Sequence, residues 1–521
     1  MKENVTLTQH GDISAAVLPQ FPKSFWLDSV ANKPQFPSLT EDLKTDVVVI
    51  GAGITGITTA YLLAKQGVKV VVLNAGPILE GTTGHTTAKI TTQHGLIYHE
   101  FLSHFGEEKT RLYYEANHEA LMSIKRIIDE LDVDCQWSED DAYLYTSDDA
   151  YLNQLQDEYL AYGKLNIDAD YLLSTPLPFE TKAAIRMKEQ ARFNPVPYLI
   201  RLIQEIVQMG GQIYEGTTVI GATQEKPSII KTKQGAQVTC DYVVTASHNP
   251  FNDVKSLYFT RLHAERSYVI AARTEQPYPG GMYINVEKPS RSLRPVTIDG
   301  EPAVLIGGEG HKTGQGLCTH QYYENLQQFG ETTFGLKEIL YRWSAQDLFT
   351  LDKMPYIGQQ FTDVPHLLVA TGYRKWGMTN SMVAAMLNTK IILGEKSPYE
   401  EVFTPHRFHA DPSIKTFVMQ NANVAKHLIA GKFDLLHRQP EELSPDEGSV
   451  VRVKGMRAGA YRDPQGELHV VDTTCTHLGC EVEWNEAERT WDCPCHGSRY
   501  SYQGEVIEGP AKKSLTKLDL S

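Results

Sequence analysis

The sequence has few cysteines, no excess of basic residues and no long uncharged apolar run. Seven cysteines in 521 residues are too few for a disulfide-stabilised scaffold. Lys and Arg total 49 against 64 Asp and Glu, and the net charge of −15 argues against capture of nucleic acid or of an anionic membrane. Residues 47–64 are uncharged but are interrupted by glycines and threonines, so no transmembrane segment is predicted. The N-terminus has no basic segment leading into an apolar run, which predicts a cytoplasmic protein.

Length and composition indicate a folded protein of several domains. At about 100–200 residues per domain, the chain corresponds to roughly two to four domains. The content of 41% apolar and 22% charged residues is that of a folded protein and excludes a disordered chain. Because the net charge is −15, a small molecule or a redox partner fits this chain better than a polyanion such as nucleic acid does.

A glycine-rich turn follows a short β-branched run near the N-terminus. Residues 46–50 (DVVVI) predict a buried parallel strand, and Gly51, Gly53 and Gly56 come directly after it, at the start of a predicted helix. A second strand, VKVVVLNA, follows, so the glycines lie in the setting that a dinucleotide-binding turn requires. The alternative is a turn that serves helix–strand packing alone. Asn74 stands where an acidic residue ordinarily holds the ribose, and its amide oxygen can accept one hydrogen bond there.

Four of the seven cysteines lie together near the C-terminus, beside two histidines. The motifs Cys475-Thr-His477 and Cys493-Pro-Cys495-His496 are separated by 15 residues. Such a set can bind zinc, but zinc sites ordinarily pair Cys with Cys and His with His at short spacing. The mixed pairs suit a [2Fe–2S] cluster with two Cys on one iron and two His on the other. A zinc ribbon or an empty structural fold is the alternative.

The C-terminal residues closely resemble a Rieske domain. The runs CTHLGC (475–480) and CPCHGSRY (493–500) carry this resemblance, which covers roughly residues 436–521. It implies that Cys475 and Cys493 hold one iron, and that His477 and His496 hold the other.

The Rieske resemblance also implies the surroundings of the cluster. In the high-potential members, such as those of cytochrome bc complexes, Cys480 and Cys495 would form a disulfide; two free buried thiols are the alternative, since cytoplasmic disulfides are rare. Ser498 and Tyr500 would donate hydrogen bonds to a bridging sulfide and to a ligand sulfur, and residues 509–511 (GPA) would cover the cluster. Hydrogen bonds to sulfur stabilise the reduced cluster, so we expect a potential in the upper part of the range of roughly −150 to +300 mV.

Residues 45–395 resemble the D-amino-acid oxidase-like flavoproteins, which implies FAD rather than NAD at the glycine turn. The resemblance is carried by GTTGHTTAKITT (81–92), the helix and strand of 191–221, DYVVTASHNP (241–250), DKMPYIG (352–358) and LLVATGYRKWGMTNS (367–381). Ala246-Ser247-His248 replaces the Ala-Thr-Gly with which the strand of 241–250 ordinarily ends. The resemblance implies contacts with the flavin from Gly81, Thr82, His85, Thr86, Val219, Gly372, Gly377 and Met378.

Three residues are candidates for the chemistry. His85 lies where dimethylglycine dehydrogenase-like members carry a histidine covalently joined to the flavin, although its neighbours are Gly84 and Thr86 instead of Trp and Ala. A covalent link, a non-covalent contact with flavin or substrate, and a structural loop histidine are the three possibilities. Arg294 and Lys375 are candidates to anchor a substrate carboxylate, although isolated basic residues are more often solvated or ion-paired.

The predicted fold is an α/β, Rossmann-like FAD-binding domain with an interleaved α+β substrate domain, followed by a small all-β domain. We expect an N-terminal segment (1–44), an FAD-dependent oxidoreductase domain (45–395), a linker with a helix (396–435) and a Rieske domain (436–521). The substrate part is expected at about 126–190 and 260–340.

These assignments predict an enzyme that oxidises a CH–NH bond. A flavin takes two electrons as a hydride and releases them singly, whereas a Rieske cluster carries one, so the two centres form a route from substrate to an external one-electron acceptor. Reverse electron flow and a redox-responsive binding protein are the alternatives. The expected partners are a small amine or amino acid and the electron acceptor, and not nucleic acid.

Overall fold

The computed structural model describes residues 16–251, 256–316, 319–407, 410–430 and 438–519. The helices within these ranges, in chain order, are α1 (Phe25–Asp28), α2 (Ile54–Lys65), α3 (Tyr98–Leu131), α4 (Leu152–Leu165), α5 (Pro195–Gln208), α6 (Tyr258–Arg261), α7 (His320–Phe334), α8 (Gly377–Leu393), α9 (Glu400–Phe403) and α10 (Ala410–Ala430). Helix α10 lies in the predicted linker, where the sequence predicts a helix.

The strands within the same ranges vary in length, and the three longest lie before the C-terminal part. In chain order they are β1 (Leu43–Ile50), β2 (Val70–Leu73), β3 (Lys89–Ile90), β4 (Ser138–Thr146), β5 (Asp170–Leu172), β6 (Ala183–Arg192), β7 (Gln212–Tyr214), β8 (Val219–Ala222), β9 (Ser228–Thr232), β10 (Gln237–Thr245), β11 (Leu262–Thr274), β12 (Met282–Asn285), β13 (Arg291–Ile298), β14 (Glu301–Lys312), β15 (Leu336–Thr350), β16 (Tyr356–Gln359), β17 (Leu367–Thr371), β18 (Glu447–Val453), β19 (Met456–Arg462), β20 (Leu468–Val471), β21 (Glu483–Asn485), β22 (Thr490–Asp492), β23 (Arg499–Ser501) and β24 (Val506–Glu508).

The first sheet is the mainly parallel sheet expected around the glycine turn. Its order is β16-β17-β10-β1-β2-β7, with β9 and β8 added beside β10, and the pairs among β17, β10, β1, β2 and β7 are parallel. The last four residues of β1 are buried because α2 covers the sheet and packs against α5 and α8. The carboxyl ends of the parallel strands meet at one edge, so the turns after β1, β2, β10 and β17 converge there.

The second sheet draws strands from both halves of the chain. Its order is β15-β11-β14-β13-β12-β4-β6-β3, with β5 beside β6, and β12 with β4 is its parallel pair. These strands run from Lys89 to Thr350, interleaved with the strands of the first sheet. This is the mixed α+β architecture that the sequence predicts for the substrate part.

The C-terminal part is all-β. Strands β18 to β20 form one antiparallel sheet and β21 to β24 form another. A separate apolar core, centred on the buried rings of Trp491 and Tyr500, lies around the second of these sheets. Within the ranges given above, no helix combines the length and the apolar character that crossing a membrane requires.

Candidate functional site

The glycine turn after β1 brings backbone against a large cavity. Gly51 has φ +107°, and a Cβ there would lie 2.6 Å from the carbonyl oxygen of Ala246, so a larger residue does not fit. A Cβ on Gly56 would lie 1.8 Å from the carbonyl oxygen of Gly51, because α2 packs directly on the turn. Gly53 is the N-cap of α2, and Gly53 and Ile54 line the cavity. The Ile54 N–H donates to the Thr83 hydroxyl at 3.0 Å, and the positive end of the α2 dipole faces the cavity, where it favours an anionic ligand.

His248 follows β10 at the position where the similar flavoproteins ordinarily have a glycine, and it adopts a left-handed backbone conformation there. Its φ of +62° lies in the left-handed region, which costs a residue other than glycine about 1–2 kcal/mol. The hydroxyl of Thr371 donates a hydrogen bond of 2.6 Å to the His248 carbonyl oxygen. The replacement therefore keeps a left-handed turn beside Gly51.

Asn74 is bonded to the chain's own backbone. Its Oδ1 accepts from the N–H of Ala52 at 2.9 Å, and its Nδ2 donates to the carbonyl oxygens of Gly76 and Pro77 at 2.8 and 2.9 Å. An amide oxygen has two lone pairs, so the bond from Ala52 leaves one for a ribose hydroxyl, and that contact stays a prediction. Asn74 lines the cavity, but its amide fixes the turn after β2.

The flavin loop, residues 81–86, is held by two other parts of the chain. The Thr82 hydroxyl donates to the carbonyl oxygen of Gln346 at 2.8 Å, and Trp26 Nε1 donates to the carbonyl oxygen of Thr86 at 2.6 Å. Trp26 is fully buried. The N-terminal segment and β15 therefore both fix the loop.

His85 lies on the cavity side of the flavin loop. Its Nδ1 is 2.7 Å from the carbonyl oxygen of Gly81, and its own carbonyl oxygen accepts from Trp343 Nε1 at 2.9 Å. A carbonyl oxygen can only accept, so Nδ1 carries the proton and Nε2 has the lone pair. Burial lowers the pKa of His85, which keeps the ring neutral.

The cavity measures about 1510 Å³, more than the roughly 300–1,000 Å³ of ordinary small-molecule sites. It has room for a dinucleotide together with a substrate, and its glycine turn and helix N-terminus fit a pyrophosphate. The residues predicted from the sequence that line it are Gly51, Gly53, Asn74, Gly81, Thr82, His85, Thr86, Val219, Lys375, Gly377 and Met378. Gly56, Gly372 and Arg294 are not among its lining residues. Gly372 instead forms a left-handed turn, where a Cβ would lie 2.4 Å from the Thr350 methyl group.

Arg294 supports the loop backbone and does not face the cavity. Its Nη1 donates to the carbonyl oxygens of Thr87 and Ala88, both at 2.7 Å, and its guanidinium lies 5.2 Å from the Trp26 ring. Burial lowers the pKa of Arg294 to about 9. This corrects its interpretation as a carboxylate anchor, since a sequence pattern does not reveal which carbonyl groups approach an arginine.

Lys89 is a cavity cation that the sequence analysis did not single out. Its Nζ donates to the carbonyl oxygen of Tyr283 at 2.9 Å and to the Ser292 hydroxyl at 2.6 Å. Among the residues that the structure describes, no carboxylate contributes to its pKa shift. Burial, assisted by Arg294, lowers the pKa of Lys89 to about 7. The sequence signal that could have identified Lys89 is its position between the apolar residues Ala88 and Ile90.

Lys375 lies in a left-handed turn close to two carboxyl groups. Arg374 and Lys375 have φ values of +51° and +71°. Burial raises the pKa of Asp347 to about 6 although Lys375 opposes the shift. Burial also acts to raise the pKa of Glu265, but His263 and Lys375 hold it below its ordinary value. Because two carboxyl groups offset the charge of Lys375, it is a weaker anchor for a third.

The predicted cluster ligands lie together in the C-terminal part. The rings of His477 and His496 have centroids 5.0 Å apart, and the Nδ1 atom of each is buried with no hydrogen-bond partner among the described residues. Burial lowers both pKa values, to about 4 for His496, so both rings are neutral, as metal ligands must be. Cys475 and Cys493 are buried free thiols, and a hydrogen bond from Cys493 lowers the pKa of Cys475. Two thiols and two unpartnered imidazoles fit a Rieske [2Fe–2S] cluster.

The two ligand-bearing loops are tied together and carry hydroxyl groups. Cys480 and Cys495 form a disulfide between them. The Tyr500 hydroxyl lies 3.2 Å from Cys475 Sγ, and the Ser498 side chain acts with it to lower the pKa of Cys475. Residues 493–500 are called the cluster loop below.

The C-terminal part also forms a wall of the large cavity. The loop 509–511 lines the cavity, and Asn249 Nδ2 donates to the Gly509 carbonyl oxygen at 3.1 Å. On its other side, the N–H of Ala511 donates to the Ser498 hydroxyl at 3.0 Å. One loop therefore lines the cavity and bonds directly to the cluster loop.

A buried ion network joins the C-terminal part to the second sheet. Arg266 of β11 is 1% exposed, and its Nη groups lie 3.0 Å from Glu508 and 2.7 Å from the Ser344 hydroxyl. Arg499 pairs with Asp492 at 3.1 Å and with Glu508 at 3.4 Å. Burial acts to raise the pKa of Glu508, but the two guanidinium groups hold it below its ordinary value. The network fixes β22 to β24 against the cavity.

Two family models match the chain. Residues 46–391 match the FAD dependent oxidoreductase family (DAO), and residues 435–519 match the Rieske [2Fe-2S] domain. The cofactors are therefore FAD and a Rieske [2Fe–2S] cluster, as the sequence predicts, and the matches speak against the zinc ribbon.

Relatives and solved structures agree with this division. A Bacillus subtilis (strain 168) protein described as a Rieske 2Fe-2S iron-sulfur protein, YhfW, is 49% identical over 500 residues, which cover 96% of this chain and 98% of the relative. Gamma-glutamylputrescine oxidoreductase of Escherichia coli (strain K12) is 22% identical, with 74% of this chain and 92% of that protein covered. Glycine oxidase from Geobacillus kaustophilus superimposes with a TM-score of 0.60 at 16% identity, over 70% of this chain and 99% of its own. L-proline dehydrogenase from P. horikoshii gives a TM-score of 0.59 at 19% identity, over 70% of this chain and 98% of its own.

The fold class is confirmed in both parts. The match over 46–391 spans most of the chain, and the match over 435–519 covers the all-β part. The chain therefore belongs to the FAD-dependent oxidoreductase family of the D-amino-acid oxidase type and carries a Rieske [2Fe–2S] domain at its C-terminus.

Proposed function

We propose that the protein is a dehydrogenase of a CH–NH bond in an amino acid or amine, which passes electrons through its Rieske domain to an external one-electron acceptor. One observation carries the proposal: the loop 509–511 of the Rieske domain lines the same cavity as the glycine turn, Gly51 and Gly53. A plain oxidase that delivers its electrons to oxygen needs no such shared wall. FAD accepts two electrons as a hydride, and the cluster carries one electron at a time.

The chain's own residues supply binding and positioning. In this proposal Gly51, Gly53 and the N-terminus of α2 hold the pyrophosphate of FAD, and Val219, which also lines the cavity, contacts the cofactor. Lys89 holds the substrate carboxylate, because it is a buried cation whose charge no carboxylate among the described residues offsets. Hydride removal from a neutral amine needs no strong base, which agrees with the absence of an evident catalytic dyad among the described residues that line the cavity.

The cluster ligands in this proposal are Cys475 and Cys493 on one iron and His477 and His496 on the other. The unpartnered Nδ1 atoms of the two histidines support this assignment. The Tyr500 hydroxyl lies 3.2 Å from a ligand sulfur and Ser498 acts to lower the pKa of the same cysteine, and both favour a high potential.

The names of the similar proteins support the substrate class. Glycine, L-proline and gamma-glutamylputrescine, which appear in those names, all contain a CH–NH unit. The shared feature of a substrate in this cavity is therefore proposed to be an amine beside a C–H bond.

An anaerobic screen tests the proposal. Purified protein is mixed with a panel of amino acids and amines while flavin absorbance and the paramagnetic signal of the reduced cluster are followed. We expect one class of amine to bleach the flavin band and then to produce the cluster signal. Flavin reduction only from an added electron carrier would instead support the reverse direction. No reduction by any amine, together with retention of a partner on an affinity column, would support a redox-responsive binding protein.

A further inference from the structure

We infer that Gln346 is a positioning residue that couples the flavin loop to the cluster loop; the inference rests on the proposed function and deepens it. Its carbonyl oxygen accepts from the Thr82 hydroxyl at 2.8 Å. Its side-chain Nε2 donates to the carbonyl oxygen of Gly497 at 3.0 Å. Gly497 directly follows His496 in the chain. One residue therefore touches both the loop that lines the cavity and the loop that carries a cluster ligand.

The orientation of the Gln346 amide follows from its partners. A carbonyl oxygen can only accept, so the group that faces Gly497 is the amide N–H₂. The amide oxygen on the other side accepts from the Thr313 hydroxyl at 2.8 Å. Gln346 is 0% exposed, so water does not replace either bond. Both the oxygen and the nitrogen of the side-chain amide are thus hydrogen-bonded, which fixes the orientation of the N–H₂ group.

The cluster loop is closely packed at Gly497, where a larger residue does not fit. The φ of Gly497 is +78°, and a Cβ there would lie 2.4 Å from the Cβ of Ala264 and 3.2 Å from the Gln346 amide. The cluster loop therefore lies in close contact with β11 and β15 at this point. Removal of the amide leaves the Gly497 carbonyl oxygen buried without a donor, and the loop must move to satisfy it.

Gln346 lies in β15 directly before Asp347, which lines the cavity. A shift of β15 at this position therefore moves Thr82 and the cavity wall together. Rate and specificity of electron transfer depend on a fixed separation between donor and acceptor sites, and Gln346 bonds to both loops through its own backbone and side chain. We accordingly assign to Gln346 the role of holding that separation.

The test uses the full-length protein with both cofactors bound, as Gln346→Leu, Gln346→Glu and the control Thr313→Val. The control removes a hydrogen bond from the same amide but leaves its bond to Gly497. Hydrogen–deuterium exchange is measured in the flavin loop and the cluster loop. We expect Gln346→Leu to lower the protection of the cluster loop about tenfold, and Thr313→Val to leave it near the wild-type value.

The Gln346→Glu variant supplies a pH readout that a general loss of packing would not give. Its ionised carboxylate has no proton to donate, so at pH 8 this variant should resemble Gln346→Leu. A protonated carboxyl group can donate to Gly497, and burial raises its pKa, so protection should recover toward about pH 5. Wild-type protection in Gln346→Leu, or equal loss in Thr313→Val, would overturn the inference.

Electron transfer is measured separately, by photochemical reduction of the flavin without substrate and observation of the cluster signal. We expect Gln346→Leu to slow the appearance of that signal while the cluster midpoint potential stays unchanged. A wild-type protein whose cluster is never reduced in this way contradicts the proposed function, whereas the exchange measurement still decides the role of Gln346. An unchanged rate in Gln346→Leu contradicts the inference and leaves the proposed function intact.

Discussion

The ring of Phe259 lies edge-on to the ring of His496, with centroids 5.5 Å apart, and it meets His477 in the same way at 5.6 Å. Phe259 belongs to α6, in the FAD-dependent part of the chain. The side chain of Asn421 in α10 donates to the carbonyl oxygen of the next residue, Thr260. The histidine side of the cluster site is therefore packed against the FAD-dependent part and the linker helix. This packing is consistent with electron transfer within one polypeptide.

Substitution of either predicted histidine ligand should remove the cluster and leave the flavin. His477→Ala and His496→Ala each delete an imidazole whose Nδ1 has no partner among the described residues, so no existing hydrogen bond of that atom is lost. We expect the paramagnetic signal of the reduced cluster to disappear while the yellow flavin absorbance is retained.

The matched control for the ligand variants is His469→Ala. His469 lies in the same domain but bonds to Asp463 at 3.1 Å, away from the cluster loop. It should keep both signals. Loss of flavin together with the cluster in the ligand variants would show that the two domains do not fold independently.

The hydroxyl groups beside the cluster should raise its potential. Tyr500→Phe removes the hydroxyl that lies 3.2 Å from Cys475 Sγ, and Ser498→Ala removes a second one. Loss of one hydrogen bond of about 1 kcal/mol to the reduced form corresponds to a fall of roughly 40 mV for one electron. Redox titration of the paramagnetic signal measures the midpoint potential of the cluster in each variant, with Tyr502→Phe as the control. A midpoint that does not move in either variant would remove the hydrogen-bond argument.

FAD should be released when the protein is precipitated with acid. His85 keeps Nε2 available, but its neighbours Gly84 and Thr86 differ from the Trp and Ala of the members with a covalent link. We therefore expect a non-covalent contact, with yellow fluorescence in the supernatant, and His85→Ala should retain FAD absorbance. Fluorescence that stays with the pellet in the wild type and leaves it in His85→Ala would establish the covalent bond instead.

Local patterns predicted the two architectures and the cluster motifs, because each depends on residues close in sequence. The run of β-branched residues before Gly51 and the pairs Cys475/His477 and Cys493/His496 are such patterns. Local patterns could not predict contacts between segments that lie far apart in the sequence. Arg294 looked like a free cation until the structure placed the carbonyl oxygens of Thr87 and Ala88 beside it. The position of residues 509–511 in the cavity wall likewise depends on how the two domains pack together. The periodicity of apolar residues in the sequence contains no information about that packing.

Glu508→Gln should weaken the attachment of the Rieske domain. The substitution leaves Arg266 and Arg499, both buried, with Asp492 as the remaining carboxylate of the network. Breaking a buried ion pair by removal of one partner costs about 3–5 kcal/mol. We expect earlier thermal loss of the cluster signal than in the wild type. The control Glu505→Gln changes an exposed carboxylate of the same segment and should have no effect.

The Glu508 network should also give the wild type an acid-sensitive interface. The folded-state pKa of Glu508 lies below its ordinary value, since Arg499 and Arg266 outweigh burial. Its contribution to stability is therefore complete above the unfolded pKa of about 4.3 and is lost as pH falls through the lower folded value. Thermal melts between pH 3 and 7 should show this fall in the wild type and a flatter profile in Glu508→Gln. Parallel profiles would mean that Glu508 is not ion-paired in solution.

Substrate binding should depend on the protonation of Lys89. Burial lowers the pKa of Lys89 to about 7, so its amine loses its charge as pH rises through that value. The protonated form attracts a carboxylate, so the KM for an amino-acid substrate should rise with pH, by up to about tenfold per unit above the pKa. Lys89→Arg keeps its charge and should not show this rise. The amine of the substrate titrates equally with both proteins, so the comparison isolates residue 89.

A substrate without a carboxylate provides the control for Lys89. Its KM should show the same pH profile in wild type and Lys89→Arg, because no anion meets the lysine. Lys89→Met should raise the KM for the carboxylate substrate at low pH and have little effect on the plain amine. If Lys375→Met reproduces that selectivity and Lys89→Met does not, then the anchor lies beside Asp347 and Glu265, and the charge balance inferred for that turn is wrong.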